Sequence, residues 1–364
     1  MSAAADPLTI GIVGGTGHSG GELCRLLANH PRVGAILPTS RSGEPLERVH
    51  PNLLGSGLEF VTVDELFARA DELDVVFFGT PTGEAMRSAG GFHERGVKVI
   101  DLSADFRFPD PHLYERVHGP VHENPELLAR ATYGIPELHR KEIAASTMIA
   151  NPGCYAITAV LAVAPLLESG WADMTRPLAI HAVNGTTGAG STPNTSTMHA
   201  EMTESMLAYD LDGHRHGPEI ELVLSERTGL ATTVDLNTTH GPFARGIHLQ
   251  ANIPLATPRS RMELIGLYED RYGCGHQGEY FVLVNAERRR KSRNAKEYEL
   301  YPSIGAVRGS NFCHLGIDVE AARGIAKVVA VTDNLGKGAA GTAIQNMNLM
   351  VGIDETTGLR HYGI

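Results

Sequence analysis

Cys154 stands in the stretch MIANPGCYAIT (Met148–Thr158), after an apolar run that ends in Asn-Pro-Gly and before residues that resume a helical pattern. A thiol at a helix N-terminus sits against the positive end of the helix, which favours the thiolate, and Gly153 permits a tight, exposed turn ahead of it. These features make Cys154 a candidate nucleophile. The competing reading is a small buried core cysteine, and the local context does not separate the two. Further along, GHRHGPEIE (Gly213–Glu221) sets His214 and His216 around Arg215. An imidazole titrates near neutrality and can move a proton beside a thiolate, while Arg215 can bind an anionic substrate group. A metal reading of His-x-His lacks a third ligand nearby, so no metal is expected.

A second chemical feature opens the chain. The stretch GIVGGTGHSGGE contains Gly15-x-Gly17-x-x-Gly20, with Gly14 ahead of it and Thr16, His18 and Ser19 between the glycines. It follows an apolar strand-like run and leads into a helical pattern, the setting in which this motif receives a dinucleotide pyrophosphate rather than forming an ordinary turn. After the second strand-like run comes LPTSRSGE (Leu37–Glu44), with no carboxylate before Glu44 to hold a ribose 2′-hydroxyl. Ser40 and Arg41 can instead take a 2′-phosphate, so NADP(H) is the expected cofactor.

The elements that must position these residues are visible in the pattern of apolar residues. Leu8–Val13, Val33–Leu37, Asp74–Phe78 and Val97–Leu102 are short apolar runs separated by helical stretches such as Glu22–Asn29. This alternation predicts βαβ units and a mostly parallel, Rossmann-type sheet over residues 1–153. From Leu178 the chain changes to strand-like runs rich in β-branched residues with few helices between them, which predicts a second, α+β catalytic domain over residues 154–332 with a mostly antiparallel sheet. Residues 333–364 include a helical pattern, Gly338–Met350, expected to pack back on the first domain. A net charge of −11 disfavours nucleic acid as a partner. The four cysteines are too scattered for a disulfide framework or a zinc knuckle. No apolar run is long enough to span a membrane. A cytoplasmic enzyme with reduced thiols is the expectation.

Motifs along nearly the whole chain are similar to those of the N-acetyl-γ-glutamyl-phosphate reductase family, within the wider aspartate-semialdehyde and glyceraldehyde-phosphate dehydrogenase fold group. They are GIVGGTGHSGGEL, HPNL (His50–Leu53), DLSADFR (Asp101–Arg107), YGIPEL (Tyr133–Leu138), NPGCY (Asn151–Tyr155), NGTTGAG (Asn184–Gly190), GHRHGPEI, ARGI (Ala244–Ile247), GSNFC (Gly309–Cys313) and DNLGKGAAGTAIQNMN (Asp333–Asn348). The resemblance implies NADPH-dependent reduction of an acyl phosphate to an aldehyde through a thioester on Cys154. His216 or His214 would act as acid and base, and backbone N–H groups near Cys154 would stabilise the oxyanion. It further implies substrate-anion ligands among Ser103, Arg107, Arg215 and Arg245, each arginine having a surface ion pair as its competing role. Gly188, Ala189, Gly190 and Asn334 would line the nicotinamide side of the cofactor site. A homodimer or homotetramer is implied. Ala156 stands where the family commonly has Pro, Asn184 where Ser is common, and Gly336 where a branched residue is frequent; none removes a group the chemistry needs.

Two features bear on the substrate. HAEMTESMLAYDLDGHRH (His199–His216) resembles the branch that reduces aminoadipyl or glutamyl phosphates carried on a small acidic amino-group carrier protein. The run ERRRKSRNAKE (Glu287–Glu297) crowds Arg288, Arg289, Arg290 and Lys291 together with Arg293 and Lys296. Such a run either steers an acidic carrier or forms a solvated loop. NPGCY is closer to the branch acting on free N-acetyl-γ-glutamyl phosphate, which is the preferred substrate, with a carrier-linked one as the alternative. A reading of another class, an inactive NADP-binding regulator, predicts nucleotide binding without turnover.

Overall fold

The computed structural model describes residues 6–274, 277–286 and 301–364. The chain divides into two compact units, one of Met1–Gly153 with Ala339–Arg360 and the other of Cys154–Gly338 with His361–Ile364.

The first unit is built on a six-stranded sheet of β1 (Leu8–Val13), β2 (Val33–Pro38), β3 (Val75–Phe78), β4 (Lys98–Asp101), β5 (Thr132–Tyr133) and β6 (Met148–Ala150), in the order β2-β1-β3-β4-β6-β5. Every neighbouring pair is parallel. β3 is buried from end to end and β1 nearly so, which explains their unbroken apolar sequences. The chain leaves β1 for β2 on one side and later returns to β3 on the other, so the loop after β1 lies at a switch point of the sheet, where such folds bind ligands. The first helix runs from His18 to Leu27, four residues ahead of the expected start at Glu22. Glycines carry no helical signal, so the helix begins inside the glycine motif unannounced by its sequence.

The helix Gly341–Met350 packs on β4 and on the helices His18–Leu27 and Pro136–Ala145. It buries Gln345, Asn346 and Asn348, and each amide nitrogen finds an acceptor. Gln345 donates to Glu355 at 2.8 Å. Asn348 donates to the Thr357 carbonyl at 2.9 Å, and Asn346 donates to the Gly134 carbonyl at 3.0 Å and to Asn151 Oδ1 at 3.1 Å. Asn151 is held on further sides: its N–H donates to Asp101 O (2.8 Å), and its carbonyl accepts from Arg107 Nε (3.0 Å). The turn that precedes Cys154 is thereby fixed.

The second unit holds a seven-stranded sheet of β7 (Leu178–Asn184), β8 (Leu207–Tyr209), β9 (Val234–His240), β10 (Ile247–Pro254), β13 (Val282–Asn285), β14 (Cys313–Glu320) and β15 (Ile325–Thr332). A separate two-strand ribbon is formed by β11 (Gly273–Cys274) and β12 (Gln277–Gly278). The sheet order is β13-β14-β15-β10-β7-β9-β8. It is mixed: β13/β14 and β7/β9 are parallel, the other four neighbours antiparallel. Two helices of 13 and 12 residues, His216–Thr228 and Arg261–Tyr272, interrupt a stretch expected to hold few.

Against β10 and β15 packs the helix Cys154–Glu168, whose residues from Tyr155 to Leu167 are all buried. A helix apolar on every side needs neighbours on every side, and the two helices just named supply them. Pro165 has no N–H to give the Leu161 carbonyl; Tyr272 Oη donates to that oxygen instead, at 2.7 Å. The adjacent Ala162 carbonyl accepts from Tyr268 Oη.

Candidate active site

In the first unit, the glycine loop provides the cradle a nucleotide needs. A Cβ at Gly15 would stand 2.9 Å from both Pro38 Cβ and the Thr39 carbonyl, and one at Gly20 would overlap the Gly14 carbonyl. Those two glycines answer to packing within the protein. Gly17 does not: a Cβ there would come no nearer than 3.7 Å to any residue beyond its chain neighbours. Its missing side chain leaves room on the outer side of the loop, where a pyrophosphate approaches. Gly14 N–H donates to Thr39 Oγ1 (3.2 Å), and Gly15 N–H to the Thr39 carbonyl (3.0 Å). His18 and Ser19 open the helix and present its first N–H groups. The loop fits a dinucleotide. Beyond β2, Ser40 Oγ accepts from Ser42 N–H (3.1 Å), and Arg41, 79% exposed, reaches Glu84 at 3.5 Å. A pair so exposed holds little energy, which leaves Arg41 open to a stronger anion.

The DLSADFR motif is turned inward. Asp101 accepts from Ser103 N–H and Ser103 Oγ, both at 2.9 Å. Burial, and then the nearby Asp105 carboxylate, push the Asp101 carboxyl up to about 7. Asp105 accepts from the N–H groups of Gly83 (2.7 Å) and Met86 (3.0 Å) at the start of the helix Ala85–Glu94, and from Tyr114 Oη. Arg107 is buried and donates to the carbonyls of Asn151 and Leu102. Ser103 and Arg107, expected as substrate ligands, are thus engaged in holding backbone.

In the second unit, Cys154 is the first residue of its helix and is half-buried, whereas the residues after it are fully buried. Its carbonyl accepts from Thr158 Oγ1 at 2.8 Å. The Asn184 amide, at the end of β7, donates towards Cys154 Sγ across 3.9 Å. Gly188, Ala189 and Gly190 form an exposed turn just beyond.

His214 and His216 are both buried, 6% and 5% exposed, with ring centroids 4.7 Å apart. Arg215 between them is exposed. Arg215 is already in the helical αR conformation as the chain turns into the helix His216–Thr228, with Gly217 N–H donating to the His214 carbonyl at 2.8 Å. His214 Nδ1 accepts from His216 N–H at 3.0 Å, so a neutral His214 carries its proton on Nε2. Burial, and then Arg215, push His214 down to about 4, which keeps it neutral at physiological pH. His216 Nε2 lies 4.0 Å from the buried carboxylate of Glu219, one helical turn on. Of the two, His216 has the counter-ion an imidazolium requires. Tyr155 and Tyr209 share a hydroxyl–hydroxyl bond of 2.8 Å beside both histidines. His240 stacks on Tyr209 at 4.3 Å.

A second cluster ties the neighbouring loops. Asp333, fully buried, accepts from Arg245 Nε and Nη2 at 3.0 Å and from the N–H groups of Gly309, Leu335 and Gly336. Asn334 accepts from Gly246 N–H (2.7 Å) and donates to Thr187 Oγ1 (3.0 Å). Both ends of its amide are occupied by protein, and the Arg245 guanidinium is paired bidentately. Neither points to a ligand in this arrangement. The basic run of Arg288, Arg289, Arg290 and Lys291 lies outside the described residues.

Tyr155, Tyr209, Glu219 and His240 belong to the cluster although sequence reasoning did not single them out. Glu219 was findable, three residues after His216 on a helix; the tyrosines and His240 become neighbours only through the sheet.

Residues 9–146 match the family model described as "Semialdehyde dehydrogenase, NAD binding domain", and residues 154–334 match "Semialdehyde dehydrogenase, dimerisation domain". A protein from Nitrosospira multiformis named N-acetyl-gamma-glutamyl-phosphate reductase is 40% identical over 97% of this chain and 98% of its own length. Proteins of the same name from Moorella thermoacetica and Nitrosococcus oceani are 40% and 42% identical over the same shares. Among solved structures, aspartate semialdehyde dehydrogenase II from Vibrio cholerae aligns with a TM-score of 0.67 at 17% identity, covering 95% of this chain and 99% of that one. An aspartate semialdehyde dehydrogenase with NADP from Candida albicans gives 0.64 at 16%, over 95% and 99%. At such identities the structural likeness speaks for the fold alone.

Proposed function

The chain belongs to the semialdehyde dehydrogenase family, among the N-acetyl-gamma-glutamyl-phosphate reductases, and from that membership we propose that it reduces N-acetyl-γ-glutamyl phosphate to N-acetylglutamate 5-semialdehyde with NADPH, a step of arginine biosynthesis. The observation that carries the chemistry is Cys154, half-exposed at the first turn of a buried helix with the Asn184 amide turned to its sulfur.

The Cys154 thiolate attacks the acyl carbon; the C–S bond forms, the C–O bond to phosphate breaks, and a thioester remains. Arg215, exposed and next to both histidines, binds the anionic end of the substrate. A nicotinamide cofactor held by the glycine loop would supply the hydride that reduces the thioester. His216 protonates the resulting oxyanion, with Glu219 balancing the charge it carries before it does so. His216 then takes the hydroxyl proton back as the C=O bond re-forms and the C–S bond breaks, releasing aldehyde and thiolate. His214, neutral and proton-bearing on Nε2, serves as a fixed donor. Gly14 to Gly20 would cradle the pyrophosphate, Ser40 and Arg41 would take the 2′-phosphate that distinguishes NADP, and the turn Gly188–Gly190 of the second unit would offer its backbone to the nicotinamide. Ser103, Arg107, Arg245 and Asn334 hold the loops that present these groups. The matched "dimerisation" region supports an oligomer, which we assign as a homodimer or homotetramer. Among the described residues no helix is long and apolar enough to cross a membrane.

The test runs the reaction backwards, from semialdehyde, phosphate and NADP⁺, following NADPH absorbance. Free N-acetylglutamate semialdehyde should support phosphate-dependent turnover, and Cys154→Ser should lose turnover while still binding NADPH. Activity confined to carrier-linked semialdehydes would transfer the assignment to the carrier branch. Nucleotide binding with no turnover on either would leave a regulator.

A further inference from the structure

His50 begins the HPNL motif, and no step above uses it. Its backbone is fixed locally: its N–H donates to Leu46 O (2.7 Å) and its carbonyl accepts from Leu53 N–H (2.9 Å), and Leu46 and Leu53 are buried. From there the ring reaches the nucleotide loop, with Nε2 2.7 Å from the Gly15 carbonyl oxygen. A carbonyl only accepts, so Nε2 carries the proton, and the bond persists whether the ring is neutral or charged. Gly21 makes room for the ring: a Cβ there would overlap it, standing 2.6 Å from Nδ1. Phe60 closes the other side, edge-on with ring centroids 6.4 Å apart.

The consequence follows from peptide geometry. The Gly15–Thr16 peptide is planar and trans, so the Gly15 carbonyl and the Thr16 N–H point in opposite directions. With the carbonyl turned to His50, the Thr16 N–H is turned away from it, and it meets no acceptor among the described residues. Glycine at 15 makes rotation of this peptide easy, and a flipped peptide would present a carbonyl oxygen to the pyrophosphate. We propose that His50 is a positioning residue for the cofactor, fixing the Gly15–Thr16 peptide so that the Thr16 N–H faces the pyrophosphate, and that Gly21 is glycine to admit it. This rests on the nicotinamide-cofactor reading given above.

Direct titration of the purified enzyme with NADPH, followed by nucleotide fluorescence, tests the inference alongside steady-state kinetics. His50→Ala should raise the NADPH Kd and KM about two- to tenfold, the worth of one hydrogen bond. kcat at saturating NADPH and the KM for acyl phosphate should stay near wild type. His50→Gln, which keeps a donor at similar reach, should recover most of the affinity. Gly21→Ala, a change that ordinarily favours a helix, should weaken NADPH to a similar extent by displacing the ring, and the double variant should be little worse than either single one. Unchanged NADPH Kd in folded His50→Ala and Gly21→Ala would overturn the inference, as would a loss spread equally over kcat and both KM values. A wild-type enzyme that binds no nicotinamide nucleotide would bring down the cofactor reading itself, a distinct result.

Discussion

Gly188 is exposed, yet a Cβ there would overlap the Asn184 carboxamide. That amide is the group turned to Cys154 Sγ, so a surface glycine sets the geometry around the sulfur proposed as nucleophile. Gly188→Ala should leave the melting temperature near wild type and lower kcat by about 10- to 100-fold, as displacements near 1 Å at a reacting group do. An unchanged kcat would mean that the amide has no part in the chemistry. The residues to which the chemistry is assigned by proposal stand in short, distinctive stretches that the sequence makes visible: the glycine loop, Cys154, and the histidine pair. Their states were not legible there. His214 and His216 look equivalent in GHRH, and only burial, the His216 N–H on Nδ1 of one and Glu219 beside the other make them differ. Arginines were the least legible, because a guanidinium bound to backbone carbonyls, like that of Arg107, has the same one-letter code as one bound to substrate.

At the scale of elements, the helix that begins at Cys154 can present a sulfur reproducibly only if its own position is fixed. Pro165 removes one internal hydrogen bond, and Tyr272 replaces it from the helix Arg261–Tyr272. Tyr272→Phe keeps the ring and strands the Leu161 carbonyl in a buried setting. The expected cost is about 1–3 kcal/mol of stability, read as a lower midpoint in chemical denaturation, with KM unchanged at 25 °C. An unaltered midpoint would show that the hydroxyl adds nothing to the helix's anchorage. Strands were visible because apolar runs bounded by turn residues report a buried strand, and those of β1 and β3 are unbroken. Their partners were not visible. The pattern along β7 records which face is covered, not that β9 lies parallel beside it, so the mixed character of the second sheet had no signal in the sequence.

Over the whole molecule the fold class was legible, a parallel sheet followed by an α+β region, since it depends only on the spacing of apolar runs. The sum of its buried titratable groups was not legible, and that sum sets the response to acid. Seven described histidines, His30, His93, His122, His214, His240, His248 and His314, have their pKa values lowered, in each case chiefly by burial. Below about pH 6.5 the unfolded chain binds protons that the folded chain refuses, so their contribution to stability is complete above pH 6.5 and lost as pH falls towards the folded values. For His214, lowered to about 4, the loss between pH 7.5 and 5 is about 2 kcal/mol. Asp101 works in the opposite sense. Its carboxyl is raised to about 7, so its contribution is complete below the ordinary aspartate value and lost as pH rises through 7. Glu226, its carboxyl also raised by burial, works with Asp101; with seven imidazoles set against these two carboxyls, unfolding free energy measured by denaturant titration should fall from pH 7.5 to 5. Asp101→Asn removes one of the opposing groups and should steepen that fall, because the variant no longer gains a proton on the folded side as the medium is acidified. Stability that stayed level or rose on acidification in the wild-type protein would show that the buried imidazoles are hydrated well enough to titrate normally, and a slope unchanged in Asp101→Asn would show that this carboxyl is already ionised in the fold.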